Sequence, residues 1–468
     1  MRNWSSERIS SASYHVCSQR VRFRYTSRNG GTNVKVCVVG VGYVGLVSAV
    51  CYALMGHSVN CVDVDHNKIE LLRQGKSPIH ESGLEDIMNR ADVRPRLTFD
   101  TERPSDPDLD IVLLAVGTPP LPNGAPDLRY IFTAVEEAVE YMPPGCVLAV
   151  KSTVPVGTGD RVEKLLSSKG RSDVSVCSFP EFLREGSAVE DTLHPSRLVF
   201  GVQNLRAEEV LRTLHEDTDA PVVVCERRTA EMVKYSSNAF LATKISFINE
   251  IANICDIVGA DVKIVSEAMG YDSRIGREFL RPGLGYGGSC FPKDTRALVK
   301  LADDVDYDFR VLKSVVELNQ RQRSAPLRTL REWFGDISDR HFAILGVAFK
   351  PGTDDIRESP ALDLAWELIS RGGTVAFSDP IVSQNVTVGS TEYRVSRDPY
   401  EALRGADAGI LVTEWQVFRE LDWKRVRDIM RNPYIFDGRN VLDPDLLTEE
   451  GIVLRNIGRG LSRRAYAK

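Results

Sequence analysis

The stretch Val34-Lys-Val-Cys-Val-Val-Gly-Val-Gly-Tyr-Val-Gly45 decides the fold of this chain. Its β-branched residues predict a strand over residues 34–39, and the apolar residues 46–55 predict the helix that follows. Between the two, Gly40 permits a tight turn, Gly42 lets a pyrophosphate approach the backbone, and Gly45 allows the helix to pack closely on the strand. The pattern is typical of a dinucleotide-binding Rossmann domain.

An acidic residue follows the glycine turn at the spacing that such a site needs. The second predicted strand, residues 58–62, leads into Asp63, whose carboxylate can accept hydrogen bonds from the ribose hydroxyls of adenosine. An acid here disfavours a 2′-phosphate, so NAD is predicted rather than NADP. The alternative is a plain glycine turn in an unrelated α/β domain, and Asp63 argues against it.

Two further strands are predicted over residues 111–116 and 147–150, and polar residues follow each of them. Because ligands bind beyond the carboxyl ends of parallel strands, the hydroxyl groups of Thr118, Ser152 and Thr153 are expected in one crevice. The Thr-Pro pair after the first of these strands can instead simply end it.

The composition excludes several classes of function. Lys and Arg number 59 against 65 Asp and Glu, and the signs are interspersed, which leaves no basic surface for nucleic acid or an anionic membrane. No apolar run approaches the length of a membrane span. Nine cysteines without paired spacing indicate a reducing cytoplasm and favour neither a disulfide framework nor a metal site. A chain of 468 residues is expected to form two or three domains.

Cys290 is the candidate nucleophile. It lies in Gly285-Tyr-Gly-Gly-Ser-Cys-Phe-Pro-Lys-Asp294, where glycines let a ligand come close. The Pro-Lys-Asp that follows predicts the start of a helix, whose N-terminal dipole would favour a thiolate. Taken alone, a cysteine in a glycine-rich loop is more often a small apolar residue that fills a gap. The polar residues elsewhere in the chain must decide between the two interpretations.

Polar residues in the middle of the chain supply candidate partners for this thiol. Glu181 and Glu185 are four residues apart, so both acids share a face if their segment is helical. A long helix is predicted over residues 230–258, where Lys234 and Asn238 point the same way and can together hold an alkoxide or oxyanion. The alternatives are ordinary surface glutamates and a solvated stripe on a surface helix.

Several motifs resemble those of the nucleotide-sugar 6-dehydrogenases, the family of the UDP-glucose and GDP-mannose dehydrogenases. The matching motifs are Gly40-Val-Gly-Tyr-Val-Gly45, Lys151-Ser-Thr-Val-Pro-Val-Gly-Thr158, Pro180-Glu-Phe-Leu-Arg-Glu-Gly186, Glu231-Met-Val-Lys-Tyr235 with Asn238, residues 279–294 and residues 349–360. The resemblance covers about residues 34–460 of the chain. One departure is Phe179, where the family usually has Asn, so the loop that carries Glu181 is expected to be held differently.

The resemblance implies a role for individual residues of this chain. The implied catalytic set is Cys290 as nucleophile, Lys234 and Asn238 as donors to the substrate oxygen, Asp294 and Thr153 around a water, and Glu181 in hydrolysis. The implied cofactor contacts are Gly40, Gly42, Tyr43, Val44, Gly45, Asp63, Lys68, Thr118, Ser152, Thr153, Glu185, Lys293 and Arg357. The implied substrate contacts are Glu181, Phe182, Leu183, Glu185, Lys234, Asn238, Arg274, Phe279, Leu280, Tyr286, Gly287, Phe349, Lys350 and Arg439. No metal is expected.

The alternating α/β pattern restarts in the second half of the chain. Residues 341–347 and 374–378 are predicted strands, residues 359–371 a predicted helix, and only Gly346 remains of a glycine fingerprint. The expected fold is therefore α/β, with two Rossmann-like doubly wound domains joined by a long central helix and a helical dimerisation region.

The expected division of the chain follows from these patterns and from the resemblance. Residues 1–33 are a disordered extension, 34–220 the NAD-binding domain, 221–330 the central domain with the reactive cysteine, and 331–468 the domain for the UDP-sugar. The resemblance also implies a homodimer or larger homo-oligomer, in which Arg274 reaches the active site of the partner.

A thiol explains how one site can oxidise an alcohol to an acid. The second oxidation requires an sp³ adduct that carries a hydride, and attack of Cys290 on an aldehyde gives such a thiohemiacetal, then a thioester that water hydrolyses. The resemblance implies UDP-glucose as substrate, and Tyr286 favours it over GDP-mannose or a UDP-N-acetylhexosamine. A catalytically silent NAD-binding scaffold is the other alternative, but it has no use for Cys290, Lys234 and Asp294 together.

Overall fold

The computed structural model describes residues 33–102 and 106–459, so almost all of the predicted extension, residues 1–33, lies outside the described residues. The described chain forms two open β-sheets with helices packed on them, separated by a helical region. This arrangement confirms the predicted α/β class with two Rossmann-like domains and a long central helix. In the described residues we find no helix with the length and apolar character that a bilayer crossing requires.

The first domain is built on an eight-stranded sheet. Its elements in chain order are β1 (Lys35–Val39), α1 (Tyr43–Leu54), β2 (Ser58–Val62), α2 (His66–Arg73), α3 (Leu84–Met88), a 3₁₀ turn (Arg94–Arg96), β3 (Leu97–Asp100), β4 (Ile111–Leu114), α4 (Arg129–Val139), β5 (Val147–Val150), α5 (Thr158–Ser168), β6 (Ser175–Ser178), α6 (Ala188–Leu193), β7 (Leu198–Gly201), α7 (Leu205–Leu214) and β8 (Val222–Cys225). The strand order is β3-β2-β1-β4-β5-β6-β7-β8, and the first six strands in that order pair in parallel. The reversal of order beside β1 places the ends of β1 and β4 at the switch point, where ligands bind in such sheets.

A helical region follows the first sheet. It consists of α8 (Arg227–Val258), α9 (Val262–Gly270), α10 (Phe291–Asp304), α11 (Arg310–Arg323) and α12 (Ala325–Phe334). The 32-residue α8 packs against β6 and β7 near its start and against α10 and α11 farther along. It therefore brings residues of its first turns to the carboxyl edge of the first sheet while its second half supports α10.

The last domain carries a six-stranded parallel sheet. Its elements are β9 (His341–Leu345), α13 (Pro360–Ser370), β10 (Thr374–Ser378), β11 (Val386–Val388), β12 (Thr391–Tyr393), β13 (Val395–Ser396), α14 (Pro399–Leu403), β14 (Ala408–Leu411), α15 (Gln416–Arg419), α16 (Trp423–Ile429), β15 (Tyr434–Asp437), α17 (Pro444–Glu449) and β16 (Val453–Asn456). The order is β13-β10-β9-β14-β15-β16, with β11 and β12 as a separate hairpin. Its apolar core is distinct from that of the first domain, so each sheet organises its own unit.

Element ends differ from the predicted ones where hydrogen bonds leave the ladder. The predicted strand over residues 111–116 ends at Leu114, whose carbonyl accepts from the amides of both Lys151 and Ser152. The predicted strand over residues 341–347 ends at Leu345, and the amide of Val347 turns to the Asp379 carboxylate. The strands over 58–62, 147–150 and 374–378 have the predicted bounds.

Candidate active site

The glycine turn after β1 has the geometry that a dinucleotide phosphate needs. Gly40 has φ +95°, and a side chain on Gly45 would overlap the carbonyl oxygen of Gly40, so α1 can approach β1 only with glycine there. A Cβ on Gly42 would meet nothing within 4 Å, and this residue precedes α1 without a capping side chain. The amino end of α1 therefore presents open space and its dipole to a phosphate group, which fits NAD.

Asp63 closes the turn from the second strand. One carboxylate oxygen accepts from the amide of Val41 at 2.8 Å and the other from Asp65 at 2.9 Å, while the side chain stays partly exposed. Lys68, which is predicted to contact the cofactor, lies on α2 with its ammonium 3.9 Å from Asp65. The acid thus sits at the turn with an accessible edge, as ribose recognition requires.

Tyr43 joins the glycine turn to the loop before α6. Its hydroxyl donates to the Glu81 carboxylate, which also accepts from the amides of Gly186 (2.6 Å) and Ala188 (2.8 Å). Burial and the Glu81 charge raise the pKa of Tyr43, so the phenol stays neutral. Sequence reasoning missed Glu81, because an acid in a loop far from the motifs carries no local signal.

The hydroxyl groups at the ends of β4 and β5 tie these two strands together. Thr118 donates to the carbonyl of Thr153 at 3.0 Å, and Ser152 donates to the carbonyl of Val116 at 2.7 Å. Both hydroxyl protons are therefore used within the crevice wall, and each oxygen keeps its acceptor capacity for a ligand. Thr153 is only half-buried at this edge.

Cys290 lies at the amino end of α10, as the sequence predicts, with Pro292 in the first turn. Its sulfur is 3.5 Å from the Ser289 hydroxyl. Burial raises the pKa of the thiol; the Lys234 ammonium lowers it, and the Glu181 and Asp294 carboxylates raise it. The net direction is upward, so the cysteine rests as a thiol and its proton must leave when the sulfur attacks.

Lys234 forms a buried ion pair beside the thiol. Its ammonium donates to Glu181 at 2.7 Å, and the other oxygen of this carboxylate accepts from the amide of Leu183 at 2.8 Å. Burial by itself would lower the pKa of Lys234, but the charges of the Glu181 and Asp294 carboxylates raise it above its ordinary value. The ammonium is therefore a permanent positive charge next to Cys290.

Asn238 lies one turn further along α8 and points to Asp294. Its amide group donates to Asp294 at 2.6 Å, and Lys293 donates to the other oxygen of this carboxylate, also at 2.6 Å. Asp294 is almost fully buried on α10. The predicted pair on one helix face thus reaches two acids, Glu181 and Asp294, that flank the sulfur.

The hypothesis that Glu181 and Glu185 share a helix face is wrong. Residues 181–184 have no helical structure, because the Glu181 side chain bonds its own loop and Gly186 adopts φ +81°. The two acids have different partners, and Glu185 accepts from Ser289 at 3.0 Å and from Thr353 at 3.4 Å. Burial and the charge of Asp355 raise the pKa of Glu185 to about 7.

A loop of the last domain reaches this site. The amide of Gly288 donates to the carbonyl of Arg357 at 2.9 Å, and the Phe349 ring fills the space where a Gly288 side chain would lie. Arg357 is 3.9 Å from Glu185, and burial lowers the pKa of the nearby Lys350. The loop thus delivers positive charge and an aromatic ring to the cysteine segment, as diphosphate and base recognition need.

The remaining predicted substrate residues fall into two groups. Those close to the site are Phe182, under Arg197 at 3.8 Å and Lys234 at 5.6 Å, Leu183, Phe279, whose ring is 6.1 Å from Phe291, and Gly287. Four others have partners of their own, and Leu280 is one of them because it packs in the apolar core between α8 and α9. Tyr286 packs its ring into the core of the helical region, Arg439 pairs with Glu414 at 2.6 Å behind Gly283, and the exposed Arg274 pairs with Asp272 at 2.6 Å.

Comparison with known proteins identifies the family. Models of the NAD binding domain, the central domain and the UDP binding domain of one family match residues 34–219, 228–321 and 343–444. The chain belongs to the UDP-glucose/GDP-mannose dehydrogenase family. The predicted family, the NAD cofactor and the dehydrogenase class are therefore confirmed.

Individual dehydrogenases of this family resemble the chain over most of its length. It is 42% identical over 429 residues to UDP-glucose 6-dehydrogenase TuaD of Bacillus subtilis, covering 91% of this chain and 93% of that protein. It is 43% identical over 435 residues to the UDP-glucose 6-dehydrogenase of Rhizobium meliloti, covering 91% and 100%. A UDP-glucose dehydrogenase structure from Pyrobaculum islandicum matches with 37% identity and a TM-score of 0.82, covering 91% of this chain and 98% of that one.

Two features of this dehydrogenase site complete its description. Within residues 33–102 and 106–459, no cluster of three or more His, Cys, Asp or Glu side chains is arranged to hold a metal ion. Lys151 is buried, and its charge interacts with that of Glu181. It is the first residue of the motif 151–158, but sequence reasoning missed it as a site residue. Its position directly after β5 was the available signal, since this edge of the sheet lines the crevice.

Proposed function

We propose that this enzyme oxidises UDP-glucose to UDP-glucuronate in two NAD-dependent steps at one site. The observation that carries the proposal is the Cys290 thiol beside the buried ion pair of Lys234 with Glu181 and the buried hydrogen bond from Asn238 to Asp294. The match to a UDP binding domain and the names of the relatives support UDP-glucose over GDP-mannose. NAD, when bound, supplies the hydride acceptor for both oxidations.

The residues that would hold the cofactor follow from the open turn. Gly40, Gly42 and Gly45 shape the phosphate cradle, and Asp63 accepts from the ribose. The other proposed contacts are Tyr43, Val44, Lys68, Thr118, Ser152, Thr153, Glu185, Lys293 and Arg357.

The first oxidation converts the 6-hydroxyl group to an aldehyde. Lys234 and Asn238 donate to the substrate oxygen as its negative charge develops, and the proton of this hydroxyl passes to a water held by Asp294 and Thr153. The C6 hydride leaves at the same time. Asp294 suits this role because its carboxylate is buried, is paired with Lys293 and acts on the Cys290 thiol through its charge.

The second oxidation uses the thiol. The sulfur of Cys290 bonds to the aldehyde carbon as the π bond of the carbonyl group breaks, and the thiol proton passes to the carbonyl oxygen through the water held by Asp294 and Thr153. Lys234 and Asn238 stabilise this oxygen in the thiohemiacetal. Loss of a second hydride from C6 and of the hydroxyl proton gives a thioester. A water, activated by Glu181, then adds to the thioester carbon, the C–S bond breaks, and the carboxylate and free thiol result. Two hydrides leave and one water enters in the complete reaction.

The nucleotide of the substrate is proposed to lie against the last domain. Phe349, Lys350 and Arg439 supply an aromatic face and positive charge on the side of the cysteine loop that faces this domain. The sugar is proposed to contact Phe182, Leu183, Phe279 and Gly287. Leu280 and Tyr286 are proposed to support this surface from behind, because their side chains lie in the core and the Tyr286 backbone bonds Asn319.

A homodimer is part of the proposal. Helix α8 exposes a line of large apolar residues, and α9 continues it; the residues are Phe240, Phe247, Ile254, Ile257 and Val258 on α8 and Ile264 on α9. Such a surface is typical of an interface between subunits. Arg274 follows α9 and is proposed to reach the partner's active site. The enzyme is proposed to act in the cytoplasm, where free thiols persist.

A panel of nucleotide sugars tests the proposal by following NADH absorbance and product mass. We expect two NADH per UDP-glucose and little turnover of GDP-mannose or UDP-N-acetylhexosamines. Cys290→Ser is expected to stop at one NADH at most, because the serine hydroxyl is a weaker nucleophile than the thiol and its alkoxide is a poorer leaving group. Full conversion to UDP-glucuronate by Cys290→Ser would refute the thioester route, and no NADH from UDP-glucose would refute the substrate.

A further inference from the structure

Lys151 is a buried cation that the proposed reaction does not use. It follows the last residue of β5, and the amide of Phe179 donates to the carbonyl of Val150 at 2.8 Å, so Phe179 lies beside Lys151 at the edge of the sheet. The Lys151 ammonium is 4.0 Å from the centroid of the Phe179 ring. A ring face attracts a cation but accepts none of its strong hydrogen bonds. The ammonium is therefore stabilised without being bound to an acceptor there.

The side chains behind Phe179 are neutral. His215 and Phe200 contact the Phe179 ring edge to face, at 5.1 and 5.6 Å. The carbonyl of Leu211, which can only accept, lies 2.9 Å from Nδ1 of His215, so Nδ1 carries the proton and Nε2 accepts from Tyr52 at 3.2 Å. Burial, with a contribution from Lys151, lowers the pKa of His215 to about 3, which keeps the imidazole uncharged.

The charged groups that act on Lys151 are both at the active site. Burial lowers its pKa to about 8; the Glu181 carboxylate raises it and the Lys234 ammonium lowers it, while the Cys51 thiol on α1 has a minor effect. Burial also raises the pKa of Cys51, so this thiol is neutral. Glu181 thus interacts with two ammonium groups, that of Lys234 at 2.7 Å and that of Lys151 through its charge.

We propose that Lys151 is a positioning residue that balances the charge of Glu181 when Lys234 turns from this carboxylate to the substrate oxygen. The inference rests on the proposed function, because that function assigns Lys234 to the oxygen. A buried carboxylate that loses its only cation is strongly destabilised, and this cost would oppose the movement of Lys234. With Lys151 in place the negative charge stays compensated, and Lys234 can donate to the oxyanion.

The Phe179 ring allows Lys151 to take this role while Lys234 donates to the substrate oxygen. An acceptor in its place would hold the Lys151 ammonium by hydrogen bonds, whereas the ring leaves these donors available to Glu181. The aromatic residue at this position, noted above as a departure from the resembling family, thereby acquires a function. Lys151 itself touches neither substrate nor reacting atoms in this scheme.

The pH profile of kcat tests the inference, since Lys151 must keep its proton. In the parent enzyme we expect kcat to fall as the pH rises through about 8, where Lys151 becomes neutral. The thiol gives a limb of opposite sign, because ionisation of Cys290 increases the rate. Lys151→Met should lower kcat about tenfold below pH 7, with KM for UDP-glucose little changed, and should lack the alkaline limb.

Lys151→Arg and Phe179→Leu separate this role from a purely structural one. Arginine keeps its charge, so Lys151→Arg should recover kcat and move the alkaline limb upward by more than about one pH unit. Phe179→Leu removes the ring face, so the limb should move to lower pH. Lys164→Met, which changes an exposed lysine of α5, is the matched control and should retain the parent profile.

The outcomes distinguish the two proposals. A parent enzyme that releases no NADH from UDP-glucose contradicts the proposed function. A parent that works while Lys151→Arg keeps the same alkaline limb, or Lys151→Met keeps the same kcat, overturns the role of Lys151. If Lys151→Met does not fold, the opposite limb shifts of Lys151→Arg and Phe179→Leu still decide, and identical profiles in both would refute the inference.

Discussion

The two Rossmann-like domains begin with the same turn and use it differently. In the first, β1 ends at a turn where Gly40 has φ +95° and Asp63 accepts from the next amide at 2.8 Å. In the last, β9 ends at a turn where Gly346 has φ +96° and Asp379 accepts from the next amide, again at 2.8 Å. Strand, left-handed glycine and acid therefore form a common frame that does not by itself bind a dinucleotide.

The difference lies in what surrounds this frame. Asp63 keeps an accessible edge, whereas Asp379 is fully buried and accepts from five N–H groups, those of Val347, Ala348, Ile381, Val382 and the Trp415 ring. Ala348 stands where the first turn has Gly42, and its carbonyl accepts from the Thr413 hydroxyl at 2.5 Å, while the space around Gly42 is open. The last domain thus lacks the glycine that leaves room for a phosphate in the first turn.

The start of the following helix also differs. Helix α1 begins at Tyr43, directly after the first turn, but α13 begins only at Pro360. The intervening residues 347–359 form the loop that reaches Glu185 and the cysteine segment through Thr353 and Arg357. Because residues 347–359 separate α13 from the turn, the N-terminal dipole of this helix does not lie at the turn and cannot bind a phosphate there. The loop of residues 347–359 instead contributes to the active site of the first domain.

The largest expected effect breaks the first turn. Gly45→Ala places a methyl group on the Gly40 carbonyl, so α1 must move away from β1, and we expect a loss of about 3 kcal/mol or more in the free energy of unfolding. A thermal melt and NAD-dependent turnover measure it. Gly42→Ala is the matched control in the same turn and should leave the melting temperature unchanged. Equal melting temperatures for both variants would contradict the packing role of Gly45.

The next effect tests the buried acid of the last domain. Asp379→Asn places an amide NH₂ against N–H groups that now donate to a carboxylate, which should cost about 2–3 kcal/mol of stability. KM for NAD should not change, because this turn binds no dinucleotide. Asp63→Asn should do the reverse, with a small stability loss and a raised KM for NAD. A raised KM for NAD in Asp379→Asn would show that the two turns are not functionally distinct.

A smaller effect isolates the phosphate cradle. Gly42→Ala adds a Cβ to open space, so it should obstruct the approach of the pyrophosphate and raise KM for NAD about tenfold, with KM for UDP-glucose unchanged. Initial rates at varied NAD measure this. An unchanged KM for NAD would place the phosphates elsewhere.

Local sequence patterns predicted the glycine turn and the main helix and strand positions, but they could not predict contacts between segments that are distant in the chain. The glycine turn, the helix start at Cys290 and the shared face of Lys234 and Asn238 all follow from spacing along one element. The segment with Glu181 misled the prediction, because a four-residue spacing suits a helix while the side chain bonds its own loop. Glu81 has no local signal, and Lys151 is marked only by its position after β5, because the groups that interact with these two side chains come from other strands and helices.

The smallest expected effect concerns the contact between the loop of residues 347–359 and Glu185 of the first domain. Because burial and Asp355 raise the pKa of Glu185 to about 7, the folded protein holds this proton more tightly than the unfolded chain does. The resulting stabilisation is complete below the ordinary carboxyl pKa and is lost as the pH rises through about 7. Glu185→Gln, which stays neutral, should remove this loss and raise stability at pH 8 by about 1–2 kcal/mol relative to the parent. Thermal melts at pH 5 and pH 8 measure the difference, and Glu190→Gln on the exposed side of α6 is the control. A pH dependence of the same size in Glu185→Gln would mean that the proton on Glu185 contributes nothing to stability, and that the hydrogen bonds with Ser289 and Thr353 alone stabilise this contact.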